Sequence, residues 1–157
     1  MDTKILFREK QQFNQWYIIL LFVLLDGFVI NRILESDLKS AYENGDIFGF
    51  IVMALVTILF ILLKMETTIK EDGIYLRFFP IIRSRFYSWE SIQNAETVKY
   101  NPILYGGWGI RYGVYSVSGN RAIQLQFKNG NKLLIGTQQS EAIQNILNSI
   151  SNENHTI

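Results

Sequence analysis

Histidine, cysteine and clustered carboxylates are the side chains that most often carry out catalysis or hold metal ions. This 157-residue sequence has a single histidine, His155, in a polar tail, and it has no cysteine. The lack of cysteine excludes disulfides, thiolate metal sites and cysteine nucleophiles. The 14 acidic residues are scattered along the chain and suggest no carboxylate pair. We therefore predict a protein that is not an enzyme, with no catalytic residues, no cofactor and no metal.

A glycine-rich loop, YGGWGIR, runs from Tyr105 to Arg111. It is not a phosphate-binding loop, because that motif needs Lys-Ser/Thr after its last glycine and a helix beginning there. Two interpretations remain open. In the favoured one, the glycines let the loop pass close to a sheet while Trp108 packs over an open edge. In the other, Trp108, Arg111 and Tyr112 bind a ligand or partner, since these residue types are enriched at binding hot spots.

Basic residues follow the apolar part of the chain closely. Lys70, Arg77, Arg83 and Arg85 lie within about twenty residues of it. Basic side chains beside an anionic leaflet contribute about 1 kcal/mol each to membrane binding. These four are therefore candidate contacts for anionic lipid headgroups, although an ordinary solvated basic face is the favoured interpretation.

Asp26 is the one carboxylate inside an otherwise apolar stretch. It lies about ten residues, or roughly 15 Å of helix, from Trp16, which is the middle of a bilayer. A carboxylate there costs about 2.5–3.5 kcal/mol on insertion scales. In an antiparallel hairpin it is expected at the depth of Ala54 to Thr57, and Thr57 could donate a hydrogen bond to it. A protonated Asp26 linking two helices is favoured over a proton or ion path, which would need several copies of the chain.

Two apolar stretches predict a membrane-spanning helical hairpin. The first helix is expected at about 16–34 and the second at about 47–63, lengths that fit the roughly 17–25 residues needed to cross a bilayer. We expect the first stretch to be retained rather than cleaved as a signal peptide. Basic residues flank the outer ends of the hairpin and the connector is acidic, so both termini are expected in the cytoplasm.

After residue 64 the hydrophobic pattern changes from helical to alternating. Seven short antiparallel strands are predicted at 66–70, 74–79, 83–87, 95–100, 113–117, 121–127 and 132–136. An amphipathic helix begins near Ser140. The predicted organisation is an N-terminal segment with the hairpin at 1–64, a mainly-β domain at 65–151 and a flexible tail at 152–157. Such an element order is that of the pleckstrin-homology (PH) superfold.

The sequence also resembles small bacterial membrane proteins in which a helical hairpin precedes a PH-like domain. The resemblance rests on Trp89 with Ile92, the YGGWGIR block, the Ser118-Gly119 turn and the segment IGT at 135–137. It implies a PH-like seven-stranded antiparallel barrel or bent sheet capped by a C-terminal helix, in a bacterial inner membrane. It implies no reaction, because members of the family mostly have no assigned activity.

These observations predict a membrane-anchored binding module at the cytoplasmic face of the membrane. Its expected partners are the lipid bilayer and a protein, a peptide or anionic lipid headgroups, and we expect no nucleic acid. The alternative is a subunit of an oligomeric membrane assembly or transporter. In that case copies of the chain associate through the hairpin, with Asp26 and Thr57 at a contact between helices.

Overall fold

The computed structural model describes residues 3–13, 16–111 and 113–154. Contacts divide the chain into two compact units. Residues 13–63 form one unit, called here the helical unit. Residues 1–12 and 64–157 form the other, called the sheet unit. The helical unit is thus inserted into the sequence of the sheet unit.

The helical unit contains α1 (Trp16–Glu35), the short α2 (Leu38–Glu43) and α3 (Asp46–Leu62). α1 has 20 residues, none of them buried, and is apolar and long enough to cross a membrane, whereas α3 is apolar but shorter. α1 and α3 lie within one residue of the predicted 16–34 and 47–63. α2 occupies the connector and was not predicted. Asp37 caps it by accepting a hydrogen bond from the Ser40 N–H at 2.7 Å, which lowers the pKa of the Asp37 carboxyl.

Aromatic contacts and one ion pair join α1 to α3. The Phe60 ring lies 5.1 Å from Phe22 and 5.0 Å from Phe13, measured between ring centroids. At the opposite end of the helix pair, Arg32 Nη2 lies 3.2 Å from Asp46 Oδ1. The two helices therefore pack as an antiparallel pair that is held near both of its ends.

The sheet unit contains nine strands among the described residues, in two sheets. Sheet A has the order β1-β2-β3-β4 and is antiparallel throughout. Its strands are β1 (Ile5–Gln12), β2 (Lys64–Lys70), β3 (Gly73–Phe79) and β4 (Ile82–Ser88). A single 3-10 turn at Trp89–Ser91 leads from sheet A to sheet B.

Sheet B has five strands in the order β5-β8-β9-β7-β6. Its strands are β5 (Ile92–Lys99), β6 (Gly109–Arg111), β7 (Val114–Ser116), β8 (Arg121–Phe127) and β9 (Lys132–Gly136), and the helix α4 (Ser140–Asn154) follows. Ile143 and Leu147 of α4 are buried. These are two of the apolar positions that predicted an amphipathic helix beginning near Ser140.

The observed strands differ from the seven-stranded antiparallel prediction in two places. Residues 5–12, which were grouped with the hairpin, form β1 of sheet A. The predicted strand 113–117 is instead part of a β6–β7 hairpin, and β7 pairs with β9 in parallel. The second difference arises because β9 lies between β8 and β7: β9 is antiparallel to β8, and β7 adds to its other side in the parallel direction.

The sequence missed β1 because the buried face of this strand is polar. Glu9 and Gln11 are each only 3% exposed, while Arg8 and Lys10, which alternate with them, face outward. The strand therefore alternates between buried and exposed residues without alternating between apolar and polar ones, and periodicity in hydrophobicity does not detect it.

Buried hydrogen bonds connect β1 to the segment between β9 and α4. The Glu9 carboxylate accepts from the Thr137 hydroxyl at 2.7 Å and from the Gln138 N–H at 2.8 Å. The Gln11 side-chain amide donates to the Gly136 carbonyl at 2.8 Å. The N-terminal strand of sheet A is thus held to the last strand of sheet B by side chains that water does not reach.

Apolar side chains from both sheets and α4 form the remaining core. The largest fully buried ones are Met65, Ile69, Ile74, Leu76, Phe78, Ile123, Leu125, Ile135 and Ile143. Tyr87 of β4 stacks on Phe127 of β8 with ring centroids 5.7 Å apart, which brings the two sheets into contact. At Gly136 a Cβ would lie 2.7 Å from the Ser116 Oγ, so only glycine allows β7 and β9 to approach this closely.

Replacing Glu9 with alanine should lower the free energy of unfolding of the sheet unit by about 2–4 kcal/mol, because two charge-assisted hydrogen bonds are lost in a buried site. Chemical denaturation of the detergent-solubilised full-length protein measures this loss. Glu90 is exposed and serves as the matched control, since Glu90→Ala should change the same quantity by less than about 0.5 kcal/mol. Equal effects for the two variants would contradict the anchoring role of Glu9.

Alkaline pH should destabilise the sheet unit through Tyr87. Burial, with a smaller effect of Tyr115, raises the pKa of the Tyr87 hydroxyl from 10.0 to about 12. Because the unfolded state releases this proton at lower pH, the stabilisation is complete below about pH 10 and is lost as pH rises toward 12. Unfolding measured across this range should show a smaller loss for Tyr87→Phe. An unchanged slope in that variant would exclude Tyr87 as the source.

Candidate functional site

The glycine-rich loop begins with a tight turn that presents apolar side chains to solvent. The Gly107 N–H donates to the Pro102 carbonyl at 2.7 Å, and the Asn101 side chain accepts from the Ile103 N–H at 3.0 Å. Ile103 and Leu104 are each 81% exposed. The backbone of the turn is therefore well bonded while two large apolar side chains are left uncovered, as is common at interaction sites.

Trp108 ties this loop to a neighbouring turn. Its indole N–H donates to the Gly119 carbonyl at 3.0 Å, and its side chain is half-buried. Behind the loop, Tyr105 stacks edge-on against Tyr100, whose hydroxyl lies 2.5 Å from the Ser116 Oγ. Burial raises the pKa of the Tyr100 hydroxyl. Trp108 is thus hydrogen-bonded to a neighbouring turn, while part of its side chain stays accessible.

Arg111 lies at the edge of sheet B, at the end of β6. A Cβ built on Gly106 would lie 2.9 Å from the Arg111 Nη1, so the guanidinium rests on the bare backbone of that glycine. Gly106 has φ +78°, a conformation that also favours glycine. Arg111 itself is exposed. The loop therefore places the accessible part of Trp108 and the Arg111 guanidinium on one short segment. Tyr112, the third predicted residue, lies outside the described residues.

The structure does not bring the predicted basic residues together. Lys70 pairs with Gly73 at one end of sheet A, and its ammonium lies 4.8 Å above the Tyr75 ring. Arg83 follows Ile82, which pairs with Phe78 toward the other end of the sheet. Arg83 and Arg85 are exposed on β4. Lys70, Arg83 and Arg85 therefore do not form one cluster.

Near Lys70, the Tyr75 hydroxyl donates to Asp72 at 2.7 Å. This hydrogen bond lowers the pKa of the Asp72 carboxyl and raises that of the Tyr75 hydroxyl. The Trp89 indole N–H donates to the Lys70 carbonyl at 2.9 Å. Trp89, one of the residues that carried the resemblance, thus fixes the turn between β2 and β3.

A different set of basic residues shares the outer face of sheet A, the face turned away from the core. The strand register places them in rows across β1, β2 and β3. The rows are Gln12–Lys64–Phe79, Lys10–Glu66–Arg77 and Arg8–Thr68–Tyr75, with Lys70 beyond them. The sequence analysis named Lys70 and Arg77 but missed this grouping, because it depends on β1. Alternating basic residues in segment 5–12 are the signal that could have revealed it.

A cleft of about 440 Å³ opens at the end of this face and is called here the basic cleft. Its charged and aromatic lining consists of Lys10, Lys64, Glu66, Arg77 and Phe79. A second cavity of about 500 Å³ lies near Asp72 and Trp89, with Lys4, Glu71 and Glu90 around it. The second cavity is lined by both acidic and basic residues, whereas the basic cleft is lined by three basic residues and one acidic residue.

In the helical unit, Asp26 and Thr57 are in direct contact. The Thr57 hydroxyl lies 2.8 Å from Asp26 Oδ2 and 3.0 Å from the Met53 carbonyl, and its single proton can serve one of them at a time. Asp26 Oδ1 is buried and has no hydrogen-bond partner among the described residues. The sequence placed this pair at equal depth in an antiparallel hairpin, and this is how the two side chains meet.

No group of three histidine, cysteine or acidic residues within the described ranges could hold a metal ion. No protein-family model matches the chain, and no curated protein matches it.

Thr57→Val should weaken the packing of α1 against α3 by about 1 kcal/mol, because the carboxyl of Asp26 loses its donor in an apolar setting. Thr57→Ser, which keeps the hydroxyl, should have a smaller effect. Since the chain has no cysteine, dyes attached at Tyr17→Cys and Leu62→Cys can report the separation of the helices by energy transfer during titration with a denaturing detergent. Equal midpoints for Thr57→Val and the parent would show that the bond does not stabilise the hairpin.

Proposed function

We propose that this protein is a membrane-anchored, non-catalytic binding module at the cytoplasmic face of a bacterial inner membrane. The observation that carries the proposal is the combination of a 20-residue apolar helix with no buried side chain and a sheet unit that has its own core. A helix with such a surface is stable in hydrocarbon and unfavourable in water. The sheet unit is the part that remains available for recognition.

The strand register supports a hairpin that crosses the membrane twice. Gln12, which precedes the helical unit, and Lys64, which follows it, are paired residues on adjacent strands. The helical unit therefore begins and ends at neighbouring points, as a segment must when it crosses and returns. The 17 residues of α3 span about 26 Å, close to the thickness of a hydrocarbon core. Basic residues beside the end of the hairpin that joins the sheet unit favour the cytoplasmic side for that end.

Two features support a PH-like architecture for the sheet unit. Strands β2 to β4 and the strands of sheet B form two layers that share a core, and α4 follows the last strand and buries its apolar residues. The additional strand β1 and the parallel pair β7–β9 are departures from the expected pattern. Both are additions that this chain makes to the two layers.

Binding through the glycine-rich loop is supported by its composition and position. Trp108 and Arg111 lie beside the strongly exposed Ile103 and Leu104, at the edge of sheet B. Exposed aromatic, arginine and apolar side chains at a strand edge suit a protein or peptide partner, because edges offer backbone hydrogen bonds in addition to side-chain contacts.

A second candidate is an oligomeric membrane assembly built through the helical unit. It is favoured by the buried Asp26 Oδ1, which has no partner in the part of the chain that the structure describes. It is also favoured by Gly27 and Gly49, where an added Cβ would meet no atom within 4 Å. Small residues and polar groups on helix surfaces promote the association of membrane helices.

Crosslinking and co-purification of the full-length protein from its native membrane should separate the two candidates. The double variant Trp108→Ala/Arg111→Ala should lose a captured partner while resisting alkaline extraction from the membrane, because the loop forms the contact and the helices form the anchor. Lys99→Ala is the matched control, an exposed basic residue of the same sheet, and should retain the partner.

Three results would contradict the binding module. Release of the parent protein by alkaline extraction would exclude the membrane anchor. Retention of every captured partner by the loop variant would exclude the loop as the binding surface. Self-association that is lost only in Asp26→Leu, with no other protein captured, would favour the oligomeric assembly instead.

A further inference from the structure

We propose that the basic cleft on the outer face of sheet A binds the headgroups of anionic phospholipids. The inference rests on the proposed membrane anchoring and adds to it a ligand class and a site, distinct from the loop of sheet B. Of the three basic residues that it uses, the sequence analysis named only Arg77 as a candidate headgroup contact, and it did not name Lys10 or Lys64.

Strand pairing sets the positions of these three residues. Lys10 pairs with Glu66, and Glu66 pairs with Arg77, so the three form one row across β1, β2 and β3. Lys64 belongs to the next row on the same face and pairs with Phe79. Directly paired residues on adjacent strands have Cβ atoms about 5 Å apart. The charges therefore converge on one short end of the sheet.

The one acidic residue in the lining of the cleft already forms an ion pair with a basic residue that does not line the cleft. Glu66 forms an ion pair with Arg8, and its side chain is only 18% exposed. Within the described part of the chain, no carboxylate pairs with Lys10, Lys64 or Arg77, and all three are exposed. The cleft thus presents three uncompensated positive charges, an arrangement that is unfavourable alone and favourable beside a phosphate.

Apolar groups border these charges as they would at the boundary of a bilayer. Phe79 is 43% exposed, and the Arg77 guanidinium carbon lies 5.9 Å from the centroid of its ring. Ile81, two residues further along the same turn, is 57% exposed. A headgroup phosphate bound by the basic residues would leave the adjoining acyl region near Phe79 and Ile81. A nucleic acid or an acidic peptide would leave these apolar groups uncovered.

Residues of the basic cleft are close in sequence to the membrane helices. Only Leu63 separates Lys64 from the end of α3, and four residue steps join Gln12 to the start of α1. Four steps span at most roughly 14 Å. Electrostatic attraction to an anionic leaflet acts over about 8 Å at physiological ionic strength. Lys64 follows the last residue of α3 by two positions. Where α3 ends at the membrane interface, Lys64 therefore lies within this distance of the leaflet.

Native mass spectrometry of the full-length protein in a neutral detergent tests the inference. The probes are a phosphatidylglycerol and a phosphatidylcholine with identical acyl chains, which differ in headgroup charge. We expect the protein to retain the phosphatidylglycerol preferentially. The triple variant Lys10→Gln/Lys64→Gln/Arg77→Gln should bind it at least tenfold more weakly, since each basic residue near an anionic surface is worth roughly fivefold in affinity.

The matched control is Lys99→Gln/Lys128→Gln/Lys132→Gln, which removes the same charge from exposed positions of the other sheet and its β8–β9 turn. It should lower phosphatidylglycerol binding less than twofold, and both triple variants should show the parent's thermal unfolding. Equal losses for the two variants would show a general charge effect and would overturn the site. Equal retention of the two lipids by the parent would overturn the ligand.

Two further measurements separate this inference from the proposed function. Release of the parent by alkaline extraction would refute the anchoring, whereas a protein that stays anchored without preferring phosphatidylglycerol would refute the cleft alone. A short DNA duplex, added as a competing polyanion, should not displace the lipid. Displacement that is lost in the triple variant would identify the cleft as a nucleic-acid site and overturn the assignment to lipid.

Discussion

The pairing of β1 with β2 is the constraint on which the rest of the molecule depends. These strands are adjacent in sheet A, yet the whole helical unit separates them in sequence. Closing a long flexible loop costs conformational entropy that grows slowly with its length. Here the inserted segment is itself ordered, because α1 packs against α3 and the Phe13 N–H donates to the Leu63 carbonyl at 3.3 Å. The helical hairpin thus brings its ends together and helps β1 to meet β2.

The sequence was sufficient where the residues that form an element have their usual chemistry. α1 and α3 are predominantly apolar, and α4 has an apolar face, so composition and period located all three. Asn129 and Gly130 likewise mark the turn between β8 and β9. β1 could not be found in this way, because its buried face consists of Glu9 and Gln11, and the partners that make their burial acceptable lie more than 120 residues away.

The candidate sites were predictable to the extent that they are local. Trp108 and Arg111 belong to one loop, so the sequence could place them together. Asp26 and Thr57 could be matched by depth because a hairpin has a simple geometry. The basic cleft depends on the register of three strands, one of them unrecognised, and no spacing in the sequence relates Lys10 to Arg77. Conversely, Lys70 and Arg83 are near in sequence, but the antiparallel strands carry them toward opposite ends of sheet A.

One alternation in β1 determines both the anchoring of the strand and the charge of the surface. The segment Arg8-Glu9-Lys10-Gln11 directs its acid and amide inward, to Thr137, Gln138 and Gly136, and its basic residues outward. A shift of one residue would bury two cations and expose the groups that hold the strand. Burying unpaired cations costs several kcal/mol each. The register that stabilises the contact between the sheets therefore also requires a basic outer face. The small net charge of the chain conceals this separation of basic side chains from the acidic one.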